Sequence, residues 1–184
     1  PSALNFVSAF TTPLGVAVFP WLIKADTKFN ADGIFKTDLK LSSAETKSIA
    51  GQLKAFYEKR FPNTKGKMPY KKEVDDTGKE TGDYIFKFKS KNKPALFDAS
   101  GKPMQDANVF GGSKIKVSAT AASYDAAGNK GVTLYLNAVQ VIDLVTGDTG
   151  SSENFGFKAE EGYTHNVGET ESVVSNAEDS PDDF

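Results

Sequence analysis

The sharpest chemical pattern lies between Asp83 and Lys93, where Tyr84, Phe86 and Phe88 alternate with Ile85, Lys87, Lys89 and Lys91. A β-strand sends successive side chains to opposite faces, so this segment has an aromatic face and a positive one. Residues two apart on a strand stand roughly 7 Å apart, near the phosphate repeat of an extended single nucleic-acid strand. Lysines at that interval can neutralise successive phosphates, and exposed rings can stack bases at about 1–3 kcal/mol per base. The competing reading buries Phe86 and Phe88 and leaves the lysines merely solvated. Buried rings with lysines still facing a ligand is the expectation carried forward. A second alternation sets Lys114, Lys116, Ser118 and Thr120 against Ile115, Val117 and Ala119. Further candidate contacts are Lys36, on the polar side of an alternating segment, and Tyr70, Lys71 and Lys72, in a polar stretch. Trp21 and Tyr135 lie in β-type runs and are the remaining aromatic candidates, although a lone tryptophan in a strand is expected in the core.

Other chemistries find little support. The one histidine, His165, has no Gly-x-Ser-x-Gly turn to serve, so a Ser-His-Asp triad is not expected. The absence of cysteine removes disulfides, thiolate zinc sites and a cysteine nucleophile. There is no P-loop, no Gly-x-Gly-x-x-Gly fingerprint and no EF-hand spacing, so no catalytic residue, metal ligand or cofactor is assigned. A hydrolase working through two carboxylates stays open as an alternative, though no pair is singled out. No apolar run approaches a membrane span, and no secretory leader is visible.

The elements that must position these residues follow from periodicity and turn chemistry. Residues 6 to 23 read as β-structure broken at Pro13-Leu14-Gly15, with Pro13 and Pro20 marking bends or an edge. Asn30-Ala31-Asp32-Gly33 is a turn. Ile34 to Leu41 is a half-buried strand, with Phe35, Thr37, Leu39 and Leu41 on one face. Ser42 and Glu45 form a capping box, and a helix runs to about Arg60 with Ile49, Leu53, Phe56 and Tyr57 on its apolar stripe. Residues 61 to 82 read as a polar loop, either a basic clamp or a flexible insertion. Ala99 to Pro103 is a turn. Ser113 to Tyr124 is a strand, Asp125 to Gly131 a hairpin-like loop, and Val132 to Val145 a long strand buried on both faces in its second half. Short strands, one helix and Gly/Pro turns predict a mainly β fold: a five-stranded Greek-key OB-fold barrel with one α-helix.

Charge divides the chain. The last 26 residues, from Ala159, carry eight acids and no Lys or Arg; all 22 basic residues precede them, together with the other 16 of the 24 acids. A body of +6 is thus joined to a segment of −8 behind a net charge of only −2. The expected organisation is a binding domain at 1–158 and a flexible acidic C-terminal tail at 159–184. Asp179, Asp182, Asp183 and Phe184 are the candidate partner-binding residues of that tail. The alternative is a tail that only aids solubility.

The segments Thr11-Thr12-Pro13-Leu14-Gly15-Val16-Ala17, Pro94-Ala95-Leu96-Phe97-Asp98-Ala99-Ser100-Gly101, Gly111-Gly112-Ser113 and Gly131 to Val141 occur in an order that resembles bacteriophage single-stranded DNA-binding proteins. Asp182-Asp183-Phe184 fits the same pattern. The resemblance implies one OB-fold and no catalysis. It implies coating of single-stranded DNA without sequence specificity during phage DNA replication, recombination and repair. It also implies a location in the cytoplasm of the infected bacterial host and often a homodimer. Its tail would compete with DNA and contact phage replication proteins such as polymerase and helicase/primase. Another alternative is a phage structural or assembly module built on the same barrel.

Overall fold

The computed structural model describes residues 9–28, 31–105 and 107–145. Along them run β1 (Phe10–Thr11), β2 (Gly15–Asp26), β3 (Ile34–Leu41), α1 (Ser43–Arg60), β4 (Tyr70–Val74), β5 (Glu80–Ser90), β6 (Ala95–Phe97), β7 (Lys114–Ala126) and β8 (Asn129–Asp143). The expected domain boundary and tail, Asn30 and the start of the first β segment lie outside the described residues.

Five strands close on themselves. β2 pairs with β3, β3 with β5, β5 with β8, β8 with β7, and β7 returns to β2. All these pairings are antiparallel except β5–β8, which is parallel and held at Lys89 opposite Tyr135. This is the OB-fold ring expected from the sequence, with α1 placed between its second and third strands. β1, β4 and β6 are added outside the ring, on β7, β5 and β8 respectively.

The alternations decide what fills the barrel. Leu39 and Leu41 from β3, Phe86 and Phe88 from β5, Ile115, Val117 and Ala119 from β7, and Leu134 and Val139 from β8 are all buried in one core. Removing each large side chain from water contributes about 1.5–3 kcal/mol. α1 begins at the predicted capping box, with the Ser42 hydroxyl accepting the Glu45 N–H and the Glu45 carboxylate accepting the Ser42 N–H. It lays Leu53, Phe56 and Tyr57 against the core.

Two β-bulges change which residues face inward. In β2 the register with β3 slips between Val18 and Trp21, where Phe19 takes φ 45° and Pro20 offers no N–H to the ladder. Regular alternation from Ala17 would carry Phe19 and Trp21 into the barrel. The extra residue sends Leu22 inward and leaves Trp21 outside, which corrects the core placement expected for it. In β8 the pairing with β7 slips at Asn137, so burial passes from Leu134 and Leu136 to Val139 and Val141. The two-faced burial expected in this strand is therefore a change of register. Asn137 donates its amide to the Thr120 hydroxyl at 2.8 Å.

The stretch 61–82 is not a plain loop. β4 pairs with β5 across a turn at Asp75–Lys79, in which the Asp75 carboxylate accepts N–H bonds from Thr77 and Lys79 at 2.9 and 3.0 Å. Asp98–Lys102 repeats the same turn, with Asp98 accepting from Ser100 and Lys102 at 2.9 Å each. Both have the pattern Asp-x-Ser/Thr-Gly-Lys, in which an aspartate mimics a backbone acceptor two residues back. The hairpin joining β7 to β8 is also tighter than expected, turning at Ala127 and Gly128 with φ 52° and 87°.

Candidate nucleic-acid interface

The ring places one straight row of side chains across four strands. Trp21 of β2 pairs with Lys36 of β3, Lys36 with Lys89 of β5, and Lys89 with Tyr135 of β8. Strands lie about 4.8 Å apart, so the row spans roughly 14 Å with a ring at each end and two ammonium groups between. A second row, two residues along, runs from Val18 through Asp38 to Lys87. The rings are presented to solvent: Trp21 is 41% exposed, Tyr135 47% and Phe19, thrown outward by its bulge, 76%.

These rows form the floor of a groove of about 930 Å³. Its walls are the start of the β2–β3 connection with Lys28, the β7–β8 hairpin with Tyr124 and Val132, and the α1–β4 connection with Lys67 and Met68. The last wall is fixed by the main chain, since Lys67 donates its N–H to the Lys130 carbonyl and accepts the Val132 N–H, both at 2.9 Å. Gly66 and Gly131 permit that close approach. A Cβ on Gly131 would stand 2.6 Å from the Lys67 carbonyl oxygen, and one on Gly66 2.3 Å from the Tyr57 ring.

The groove is positive but not uniformly so. Lys28, Lys36, Lys67, Lys87 and Lys89 line it together with Asp26 and Asp38. Asp26 is tied at 2.5 Å to Lys36 and accepts the Lys28 N–H at 2.9 Å. The Lys36 hydrogen bond, then that of Lys28, hold its carboxyl below the usual aspartate range. Burial pushes the Asp38 carboxyl the other way, against the pull of Lys87, Lys36 and Lys71. Ammonium groups for phosphates, rings for bases and a track roughly 14 Å wide suit a single strand laid across the barrel, the face and loops that OB-folds use for oligonucleotides.

Five of the candidates read from the sequence come together here: Trp21, Lys36, Lys87, Lys89 and Tyr135. The others do not line the groove. Tyr70 turns inward and packs on Phe86 and Tyr84, with ring centroids 5.1 and 6.3 Å away. Lys72 is bonded to Glu80 at 3.0 Å. Lys71 is exposed on β4, beyond the second row, and Lys91 lies past the end of β5. Lys114 and Lys116 stand on β7 opposite Asp143 and Gln140. Lys67 and Met68 fall in the 61–82 stretch read as either a basic clamp or an insertion. Of the other lining residues, Phe19 reads from sequence as either core or exposed, and Lys28 and Tyr124 are not singled out. The Phe19-Pro20 dipeptide, a ring beside a residue that cannot join the ladder, was the available signal for Phe19. Asp179, Asp182, Asp183 and Phe184 lie outside the described residues, as does His165. Among the described residues no group of three or more His, Asp or Glu is placed to hold a metal ion, and no helix is long and apolar enough to cross a membrane.

The model of the Enterobacter phage Enc34 ssDNA-binding protein family matches residues 35–166. The chain belongs to that family. Among solved structures it is similar to gp2.5, a single-stranded DNA-binding protein encoded by bacteriophage T7, at 25% identity and a TM-score of 0.61, covering 89% of this chain and 100% of that one. The Enc34 single-stranded DNA-binding protein with its C-terminus truncated is similar at 12% identity and a TM-score of 0.63, covering 78% and 92%. The same Enc34 protein in complex with ssDNA gives 15% identity and a TM-score of 0.62, covering 72% and 85%. At these last two identities the likeness is one of fold. No curated protein matches the chain. The matching family and the similar solved structures are all described as single-stranded DNA-binding proteins.

Proposed function

We propose that this chain binds single-stranded DNA in the barrel groove and coats it during phage DNA replication and recombination. The observation that carries this reading is the Trp21–Lys36–Lys89–Tyr135 row, which sets nothing but stacking surface and cation across four strands. Each ammonium that replaces condensed counterions contributes affinity that is independent of sequence and falls with salt. Each ring accepts any base, because every base has a π-face.

The acidic segment 159–184 is the natural competitor for this groove. It carries −8 against a +6 body on the same chain, and tethering keeps its effective concentration near millimolar for a short flexible linker. DNA that displaces it frees Asp179, Asp182, Asp183 and Phe184 to recruit replication proteins, with Phe184 as the apolar anchor. Homodimer formation and action in the host cytoplasm belong to the same reading.

The test is titration of labelled oligo-dT over a salt series, with the whole chain and with residues 165 to 184 removed. The expected result is binding that weakens steeply with salt, and tighter binding by the shortened chain, most of all at low salt where screening is least. Absence of binding at low salt overturns the function. Equal affinity of the two chains at every salt overturns the competitor role and leaves the segment as a solubility tail.

A further inference from the structure

A carboxylate on the floor of a groove built for a polyanion calls for a reason. Asp26 has one, since it is bonded to Lys36 and to the Lys28 N–H at the groove's edge. Asp38 differs. It sits at the centre of the second row, between Val18 and Lys87 and two residues along β3 from Lys36, half-buried on the floor. Its carboxyl carbon is bonded directly to Cβ, whereas the lysine ammonium groups stand at the ends of four-carbon stems. Lys87 and Lys89, both exposed, therefore reach towards the rim while Asp38 stays deep, and Lys36 is held by Asp26. Phosphates are drawn to the rim and repelled from the floor, so what reaches Asp38 is the edge of a base.

We propose that Asp38 is a base-reading residue of this groove, accepting hydrogen bonds from exocyclic amino groups and so favouring cytosine over thymine within otherwise sequence-tolerant binding. The inference rests on the groove being the single-stranded DNA site. An ionised carboxylate only accepts hydrogen bonds. Cytosine offers it the N4 amino group, the pairing by which Asp and Glu read cytosine in duplex DNA. Thymine offers O4 in the same place, an acceptor facing an acceptor, and its N3–H stands between two carbonyls. The groups facing Asp38 support the ionised state: Lys36 on its own strand, Lys87 on β5 and Lys71 on β4. The burial that opposes ionisation is also what makes an unmatched acceptor costly there.

The experiment measures affinity for oligo-dC and oligo-dT of equal length at pH 7.5, where cytosine is unprotonated, with the native chain, Asp38→Ala and Asp38→Asn. The native chain is expected to favour oligo-dC about fivefold or more, the scale of one hydrogen bond to a charged group in a partly open site. Asp38→Ala should bring the two affinities together, mainly by improving oligo-dT. Asp38→Asn, isosteric and carrying both a donor and an acceptor, should do the same and is the variant to use if the alanine protein does not fold. Equal affinities in the native chain overturn the proposal. So does a native preference that survives in both variants while both affinities rise by one factor, because Asp38 would then be a repulsive charge and no more. Failure of every protein to bind either oligonucleotide overturns the groove itself, an outcome separate from equal binding.

Discussion

Strands β5 and β7 carry the same local signature and come to different ends. In each, lysines alternate with apolar residues, and in each the apolar set fills the barrel while the lysines face out. On β5, Lys89 stands between Lys36 and Tyr135, and Lys87 beside Asp38, within the groove. On β7, Lys114 and Lys116 stand opposite Asp143 and Gln140, whose amide is bonded to the Asp98 and Ala99 carbonyls. Alternation fixes which way a side chain points from its own strand. What it meets there is set by pairing partners far away in sequence, and only those partners turn a lysine row into half of a stacking track.

The largest effect should come from the rings that close the two ends of the Lys36–Lys89 row, since neither Lys114 nor Lys116 on β7 is paired with a ring. Replacing Trp21 and Tyr135 together with alanine is expected to weaken oligo-dT binding by about 1–3 kcal/mol per ring, with little change in the salt slope because no charge is removed. Fluorescence anisotropy over a salt series reads both quantities. A pair of changes that flattened the slope and spared the affinity would separate the rings from the site.

A smaller effect, on folding, tests the wall that brings β7 and β8 to the groove. Gly131→Ala must push the Lys67 carbonyl and the Tyr124 hydroxyl away from contacts of 2.6 Å, an overpacking expected to cost about 1–3 kcal/mol. Denaturant unfolding measures it, and DNA binding by the folded fraction should weaken as well, since Lys67 and Tyr124 line the groove.

Acid should act more gently, and with a definite sign. Asp75 and Asp98 are held below the usual aspartate range, first by the hydroxyls of Thr77 and Ser100 and then by the N–H groups of Lys79 and Lys102. Asp26 is lowered by Lys36. A carboxyl with a folded pKa below its unfolded value of about 3.9 stabilises the fold above that value and loses the contribution as pH falls through the folded one. Asp38, raised by burial, contributes in the opposite sense and relieves a strain as it protonates. Melting temperature is therefore expected to hold through the mild acid range and fall below about pH 4. Asp75→Asn and Asp98→Asn should make that fall shallower.

Much of this was legible from sequence where local chemistry decides. The capping box at Ser42, the strand Ile34–Leu41 and the buried ring pair Phe86 and Phe88 follow from spacing alone. The turn read at Ala99 to Pro103 is the same case, because Asp98 organises its own next four residues; the matching turn at Asp75–Lys79 reads from sequence only as part of a polar loop. What was not legible needed a long-range partner or an added residue. Trp21 could not be placed while the bulge at Phe19-Pro20 was unseen, since one extra residue exchanges inside for outside. The hairpin between β4 and β5 was hidden by a polar strand whose stability comes from pairing with β5 rather than from its own pattern. Tyr70 could not be told from a groove ring until that pairing turned it onto Phe86.

The central claim is that Lys36 and Lys89 on the groove floor, and not Lys114 and Lys116 of β7, meet the phosphates. The most direct measurement is the slope of log affinity against log salt for oligo-dT in three proteins: the native chain, Lys36→Ala with Lys89→Ala, and Lys114→Ala with Lys116→Ala. Every lysine removed from a phosphate should flatten the slope by about 0.7. The account predicts a slope shallower by about 1.4 for the first pair and the native slope for the second, with all three proteins folded. A native slope for the Lys36 and Lys89 pair together with a flattened slope for the Lys114 and Lys116 pair would contradict it and move the DNA to the other side of the barrel.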